Sequence, residues 1–294
     1  MAEPQVINGY QIRTSAETVA HRLGLTLEEA IKLGDDHTVA VQIWLSMRTP
    51  RAKRFDGLGA TAVDSGMKVL NRVPCCNYPP GTSSEAVEGE IIAIKSIFTQ
   101  RKVKWDWWLG PNFQPPDMAH RLERHGLKSD AYRLPTLIAP VLPVAEYPAT
   151  NPAVEVWPAT TLADLEAAST IRRIAFGWPS DVALTYFEDM AGDWLNSDLT
   201  RLYLARIGDG PPAAIGALVI GVGVPGIYVM ATLPEWQGKG LGTAIMARLM
   251  VQAEAEGHQW VVLTAGRMGY KIYRSFGFEH LFEYQIFRCA PVTI

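Results

Sequence analysis

The pattern of apolar and polar positions is weak at the start of this chain and sharpens towards its end. Within residues 1–60, Thr26-Leu27-Glu28-Glu29-Ala30 has the composition of a capped helix start. Residues 37–45, HTVAVQIWL, alternate enough to predict a strand. Residues 48–54 hold four basic side chains and a proline and read as a solvated loop. Residues 56–61, with two glycines around Leu58, also read as a loop, with a faint echo of a phosphate-binding turn. A helix is expected over 83–102, where Ser84 and Glu88 stand at the start and Val87, Ile91, Ile94 and Ile97 recur at near-helical spacing. A short aromatic strand over 105–109, a helix over 117–125 ended by Gly126, and a strand region over 132–144 follow. Prolines then thicken at 135, 140, 143, 148, 152 and 158, which sets an expected domain boundary near residue 150 and divides the chain into 1–150 and 151–294.

Beyond that boundary the pattern predicts a strand at 155–158 and a helix opened by the capping box Thr161-x-x-Asp164 and running to Phe176. A helix is expected over 181–194. Strands at 202–207 and 215–220 are joined by the hairpin turn Gly208-Asp209-Gly210-Pro211. Residues 213–230 are apolar for long enough to suggest a membrane span. Four glycines and Pro225 instead favour two buried strands joined by a turn at Val224-Pro225-Gly226. An apolar strand ending at Thr232 breaks at Leu233-Pro234, passes Gly238, Gly240 and Gly242, and enters a helix over 241–256 that Gly257 stops. A strand at 260–264, a short helix at 268–276 ended by Gly277, and a final strand at 281–289 complete the chain.

Composition adds bounds. The 294 residues suffice for two domains or one large one. A hydrophobic share of 48% with 19% charged residues is ordinary for a globular protein, and a net charge of −3 points to neither nucleic acid nor an anionic membrane as a partner. Cys75, Cys76 and Cys289 are too few, and odd in number, for a disulfide framework; no histidine stands at zinc-ligand spacing, so no metal is expected. The first residues, MAEPQVINGYQI, have no basic and apolar leader pattern, and the expected location is cytoplasmic.

The chemistry concentrates in residues 226–243. A strand feeding a glycine turn that opens a helix gathers unpaired N–H groups at a positive dipole end, which favours phosphate. Glycine lets the backbone approach a pyrophosphate closely. The spacing G-x-G-x-G departs from the dinucleotide fingerprint G-x-G-x-x-G, and the G-K-S/T of a P-loop is absent.

Gln237-Gly238-Lys239-Gly240-Leu241-Gly242 matches the motif Q/R-x-x-G-x-G/A, and Tyr273-Arg274-Ser275-Phe276-Gly277-Phe278 matches Y-x-x-x-G-F. Through these two motifs, with a strand–helix–strand–helix order around and between them, residues 154–290 resemble the GNAT superfamily of acetyl-CoA-dependent N-acyltransferases. The resemblance implies an α/β (α+β) fold with a mixed, mostly antiparallel sheet flanked by helices. Acetyl-CoA is the implied co-substrate. Gly238, Lys239, Gly240, Leu241, Gly242 and Thr243 would hold its pyrophosphate, with Gln237 opening the motif. Met230, Ala231 and Thr232 would pair with the pantetheine arm through their backbones, on a strand that the family splays from its neighbour.

Acyl transfer to an amine needs a base for the amine proton, a donor for the oxyanion and an acid for the departing thiolate. The resemblance implies Tyr273 as the acid, and its phenol is protonated at neutral pH. For the base it points to Glu188, Asp189, Glu235 or Tyr228, directly or through water. Many members carry an asparagine seven residues before the tyrosine, where this chain has Gly266. The expected activity is N-acetylation of a small-molecule or peptide primary amine by a monomer or homodimer, with a non-catalytic acyl-CoA sensor as the alternative. Trp178, Tyr186 and Phe187 are compatible with an acceptor pocket and with core packing alike. In the first half, Leu122-Glu123-Arg124-His125-Gly126-Leu127 lines up with the second motif, with Leu122 in place of the tyrosine. This suggests a degenerate GNAT-like unit in tandem with the second, structural or shaping the acceptor site.

Overall fold

The structure, a computed structural model, describes residues 5–12, 14–178 and 186–289. In chain order the first elements are strands β1 (Gln5–Ile7) and β2 (Tyr10–Ile12) and helices α1 (Ala16–Arg22) and α2 (Leu27–Ser46). Strands β3 (Lys53–Asp56), β4 (Ala60–Asp64) and β5 (Arg72–Cys76), helix α3 (Ser84–Arg101), strand β6 (Trp105–Leu109), helix α4 (Met118–Arg124) and strands β7 (Lys128–Ser129) and β8 (Leu134–Pro140) follow. The remainder comprises β9 (Val154–Pro158), α5 (Leu162–Ala175), α6 (Ala191–Leu195), β10 (Thr200–Ile207), β11 (Ala214–Gly221), β12 (Val224–Thr232), α7 (Leu241–Ala255), β13 (Trp260–Thr264), α8 (Tyr270–Ser275) and β14 (Glu279–Cys289).

Two compact units are formed. Unit 1 takes residues 5–12, 42–135 and 282–289; unit 2 takes 14–41, 136–178 and 186–281. The chain changes units near 13, 41, 135 and 281, rather than near 150 as the prolines suggest. Pro135 and Pro140 fall on β8 and Pro158 on β9, Pro143 caps the 3-10 turn at Val144–Glu146, and Pro148 and Pro152 lie in the irregular segment before β9. They punctuate a connection that stays within unit 2 from residue 136 onwards.

The two units repeat one order of elements. In unit 1, β3, β4 and β5 pair antiparallel, α3 crosses over, β6 joins β5 in parallel and α4 follows. In unit 2, β9, β10, β11 and β12 pair antiparallel, α7 crosses over, β13 joins β12 in parallel and α8 follows. The mixed, mostly antiparallel sheet flanked by helices is therefore present twice. The closing strands are exchanged. β8, which follows α4 in the chain, pairs antiparallel with β13 in unit 2, with Trp260 opposite Pro140 and Thr264 opposite Thr136. β14, which follows α8, pairs antiparallel with β6 in unit 1, with Gln285 opposite Leu109 and Cys289 opposite Trp105.

Local chemistry explains most elements. Thr26 and Glu29 form a reciprocal cap at the start of α2, with the Thr26 N–H donating to Glu29 at 2.8 Å and the Glu29 N–H donating to the Thr26 hydroxyl at 3.2 Å. Thr161 and Asp164 form a capping box on α5, and Ser83 caps α3. Core positions on α3 (Val87, Ile91, Ile94, Phe98) pack with Trp105, Trp107 and Leu109 of β6.

Four expectations change. Residues 37–45 are helical within α2, not a strand. Ala30, Gly34, His37, Thr38, Val41, Gln42, Leu45 and Ser46 form its buried stripe, and the polar members of that stripe imitate the alternation of a strand. Residues 53–56 and 60–64 are strands rather than loops; all of β4 is buried, so no alternation marks it. The glycine echo between them holds the chain's own carboxylate, since the Leu58 and Ala60 N–H groups donate to Glu90 at 2.8 and 3.0 Å. The β11–β12 turn lies at Val222-Gly223, where both residues have positive φ (47° and 79°) and Gly221 pairs with Val224. The described part of the expected 181–194 helix is a 3-10 turn at Glu188–Met190 followed by α6; residues 179–185 lie outside the described residues.

Candidate active site

The site is built on β12. Ile215 pairs with Ala231 and Ala217 with Tyr228, so β12 carries one extra residue opposite Gly216. The bulge forces Val229 to φ 49°, a left-handed conformation that a β-branched residue rarely takes. Gly216 makes room for it: a Cβ there would stand 2.4 Å from the Met230 sulfur and 2.5 Å from Ile245 on α7. On its other side, β12 is in parallel register with β13 at Gly226 opposite Val262. Between there and Thr232 no further register pair joins the two strands among the described residues, so this backbone edge is left for a partner.

Helix α2 fixes the point of departure. The buried His37 side chain donates from Nδ1 to the Gly221 carbonyl at 3.1 Å and stacks on Tyr228 at 5.7 Å. A Cβ on Gly226 would come within 2.1 Å of His37 Nε2, so only glycine fits. Gly216 and Gly221, an odd number apart on β11, turn opposite faces to α7 and α2, which covers the sheet on both sides. Burial pushes the His37 imidazole down to about 4, leaving it neutral at pH 7.

From Thr232 the chain makes a 3-10 turn at Pro234–Trp236 and enters the glycine turn. Gly238 and Gly240 take φ 74° and 92°, and Gly240 is the N-cap of α7, without a capping side chain. Among the described residues no backbone N–H from 238 to 243 has an acceptor within the protein. Five features set this turn. Gln237 Nε2 donates to the Thr232 carbonyl at 3.3 Å. Asn151 Nδ2 donates to the Lys239 carbonyl at 3.1 Å, while its Cβ lies 3.1 Å from where a Cβ on Gly240 would be. The Lys239 ammonium rides 4.7 Å over the Trp236 ring. A Cβ on Gly242 would stand 3.3 Å from Ile272 of α8, so the turn lies against the helix that carries Tyr273. The helix behind the turn is held by Leu241, Ile245, Leu249 and Met250, all buried.

Tyr273 is 8% exposed, lies 6.3 Å from the Phe278 ring, and has its hydroxyl 2.7 Å from where a Cβ on Gly269 would be. Glu188 is tied to α5 by a hydrogen bond from Ser169, whose hydroxyl also accepts the Phe187 N–H at 3.1 Å. α5 packs on β11 and β12. Burial raises the Glu188 carboxyl above its ordinary range, against the opposing effect of Ser169. Asp189 and Glu235 are exposed. Tyr228 is buried between β12 and α2, and desolvation pushes its phenol upwards. Tyr186 and Phe187 are buried against Arg172, whose guanidinium lies 4.2 and 5.6 Å from their rings and 4.9 Å from Trp178, so core packing accounts for them. Among the described residues no group of three His, Cys, Asp or Glu side chains is placed to hold a metal. No described helix is long and apolar enough to cross a membrane; residues 213–230 are β11 and most of β12.

His37 and Asn151 are the residues that sequence reasoning missed. Each acts from a segment remote in sequence, and no local motif marks either one.

A bulged strand with an open edge thus runs directly into an uncapped glycine turn. Residues 198–280 match the family model described as acetyltransferase (GNAT) domain. A GCN5-related N-acetyltransferase from Kribbella flavida is similar at 21% identity, covering 87% of this chain and 95% of its own, with a TM-score of 0.63. One from Sphaerobacter thermophilus aligns at 16% identity, 82% and 84% coverage and TM-score 0.60. A tandem GNAT protein from the clavulanic acid biosynthesis pathway aligns over 96% of this chain and 98% of its own, at 12% identity and TM-score 0.56. No curated protein matches the chain in sequence. Residues 198–280 thus match a GNAT acetyltransferase domain, the fold over most of the chain is that of GNAT proteins, and acyl transfer is the general class of activity that this domain supports.

Proposed function

We propose that the protein is an N-acetyltransferase that moves the acetyl group of acetyl-CoA directly to a primary amine of a small molecule or peptide. The observation that carries this reading is the continuity of β12 with the glycine turn. An unpaired strand edge suits the amides of a pantetheine arm. The free N–H groups that follow it, at the N-terminus of a 15-residue helix, suit a pyrophosphate. Met230, Ala231 and Thr232 take the first role. Gly238, Lys239, Gly240, Leu241, Gly242 and Thr243 take the second, with Gln237 positioning the turn through Thr232.

In the reaction the neutral amine attacks the thioester carbonyl, and the tetrahedral oxyanion is stabilised by a backbone N–H of β12 near the bulge. Collapse breaks the C–S bond. Tyr273 gives its proton to the departing thiolate, and the amine proton passes to a base. Glu188 is the better candidate for that base, because its raised carboxyl is closer to the pH at which an amine is deprotonated. Tyr228 is set aside: a buried phenol pushed upwards stays protonated and cannot accept the proton. Three free thiols accord with a reducing, cytoplasmic setting.

The test is to mix the protein with acetyl-CoA and a panel of amines while following free thiol. Amine-dependent thiol release is expected. CoA binding without release for any amine would instead establish an acyl-CoA sensor.

A further inference from the structure

Unit 1 repeats the bulge of unit 2. Thr61 pairs with Cys75 and Val63 with Arg72, leaving one extra residue on β5, as Ile215–Ala231 and Ala217–Tyr228 do on β12. Superimposing the two bulges sets Arg72 against Tyr228, Pro74 against Met230, Cys75 against Ala231 and Cys76 against Thr232. An independent bond supports that register: Asn77 N–H donates to the Gly59 carbonyl at 2.7 Å, as Leu233 N–H does to Ala213 at 2.9 Å.

On this scaffold unit 1 differs at every point where unit 2 is open. Pro74 stands at the bulge and has no N–H to offer. Because Asn77 turns its N–H to β4, the flanking Cys76 and Tyr78 turn their backbone groups the other way. There they meet the chain itself. Gln114 N–H donates to the Cys76 carbonyl at 3.1 Å, and Tyr78 N–H donates to the Gln114 carbonyl at 3.4 Å, forming a parallel bridge between Asn77 and Gln114. In unit 2 the carbonyl equivalent to Cys76, that of Thr232, meets the Gln237 side chain. The crossover helix is closed too: Ser83 caps α3 by accepting the Ala86 N–H at 3.2 Å, where α7 begins on a bare glycine. Leu122, fully buried, occupies the position that lines up with Tyr273.

We propose that unit 1 is a copy of the acyl-CoA scaffold that has taken its own chain as ligand. The peptide at Gln114 lies on the β5 edge in place of a pantetheine amide, and the protein binds one CoA per chain, in unit 2. The identity of that ligand rests on the function proposed above; the self-pairing of the β5 edge does not.

Two measurements test the two parts separately. In calorimetric titration with CoA, one equivalent per chain is expected. Gly240→Val, which obstructs the turn of unit 2 at φ 92°, is expected to remove it. A second equivalent, or binding that survives in a folded Gly240→Val protein, overturns the proposal. Amide hydrogen exchange on the wild-type protein reads the self-pairing directly. The Gln114 and Tyr78 amides are expected to exchange slowly without CoA and to be unchanged at saturating CoA. Fast exchange at either amide, or a change there on adding CoA, overturns it. If the wild type binds no CoA, the proposed function fails, and the exchange measurement still decides the self-pairing.

Discussion

At the scale of single residues, the candidate chemistry separates into groups that do and do not have a proton to exchange at neutral pH. Tyr273→Phe removes the proposed donor to the thiolate while keeping the ring that packs on Phe278. It should lower kcat by roughly ten- to a thousandfold with little change in CoA affinity. Glu188→Gln should lower kcat as well, and should abolish an acid limb of the pH–rate profile that lies above the ordinary carboxylate range, since burial raises this group. Steady-state kinetics across pH check both, and a Tyr273→Phe enzyme with wild-type kcat would exclude the tyrosine as the acid. His37 makes its contribution through stability. Its folded value of about 4 lies below the unfolded 6.5, so as pH falls between these values the unfolded chain takes up a proton that the folded chain refuses. Stability should therefore fall over that window by roughly 3 kcal/mol and then level off. Urea titrations of the wild type and His37→Gln between pH 7 and pH 4 should show the shallower dependence in the variant.

At the scale of elements, the glycine turn proposed to hold the pyrophosphate depends on a tether from outside its own motif. Asn151, just ahead of β9, holds the Lys239 carbonyl and abuts Gly240. Losing this bond costs about 1 kcal/mol, so Asn151→Ala should weaken CoA binding about fivefold. Pantetheine, which has no phosphate, should bind the variant and the wild type equally. Equal losses for both ligands would place Asn151 in general folding instead. Element legibility in the sequence followed the same logic. Helices announced by side-chain caps are readable, because Thr26–Glu29 and Thr161–Asp164 act within one turn; on α3 the sequence marks Ser84 and Glu88, while the cap is Ser83. The bulge in β12 was not readable: Val229 gives no local sign of a left-handed φ, which is imposed by the register of β11 and by Met230 filling the space above Gly216. Residues 37–45 were misread because the inner face of α2 uses His37, Thr38 and Gln42, polar side chains that only a tertiary neighbour makes sense of.

At the scale of the whole molecule, the exchanged strands make the sequence-drawn domain incomplete. A fragment of residues 151–294 lacks β8, the antiparallel neighbour of β13, and residues 14–41, which include His37. It also carries β14 without β6. Such a fragment has exposed strand edges and should be insoluble or unfold without cooperativity, whereas the full chain should show a cooperative transition. A soluble fragment with a sharp melting transition and wild-type CoA affinity would show the exchange to be dispensable. The sequence by itself determined the glycine turn, the Tyr273 helix and the order of strands around them, because turn chemistry, caps and helix periodicity act over a few neighbouring residues. Only the tertiary structure decided which strand closes which sheet, that Tyr228 is buried under α2, and that the edge of β5 is taken by Gln114. Those outcomes depend on pairings between segments tens of residues or more apart, where hydrogen-bonding backbone is the same for every sequence and side chains record the partner only indirectly.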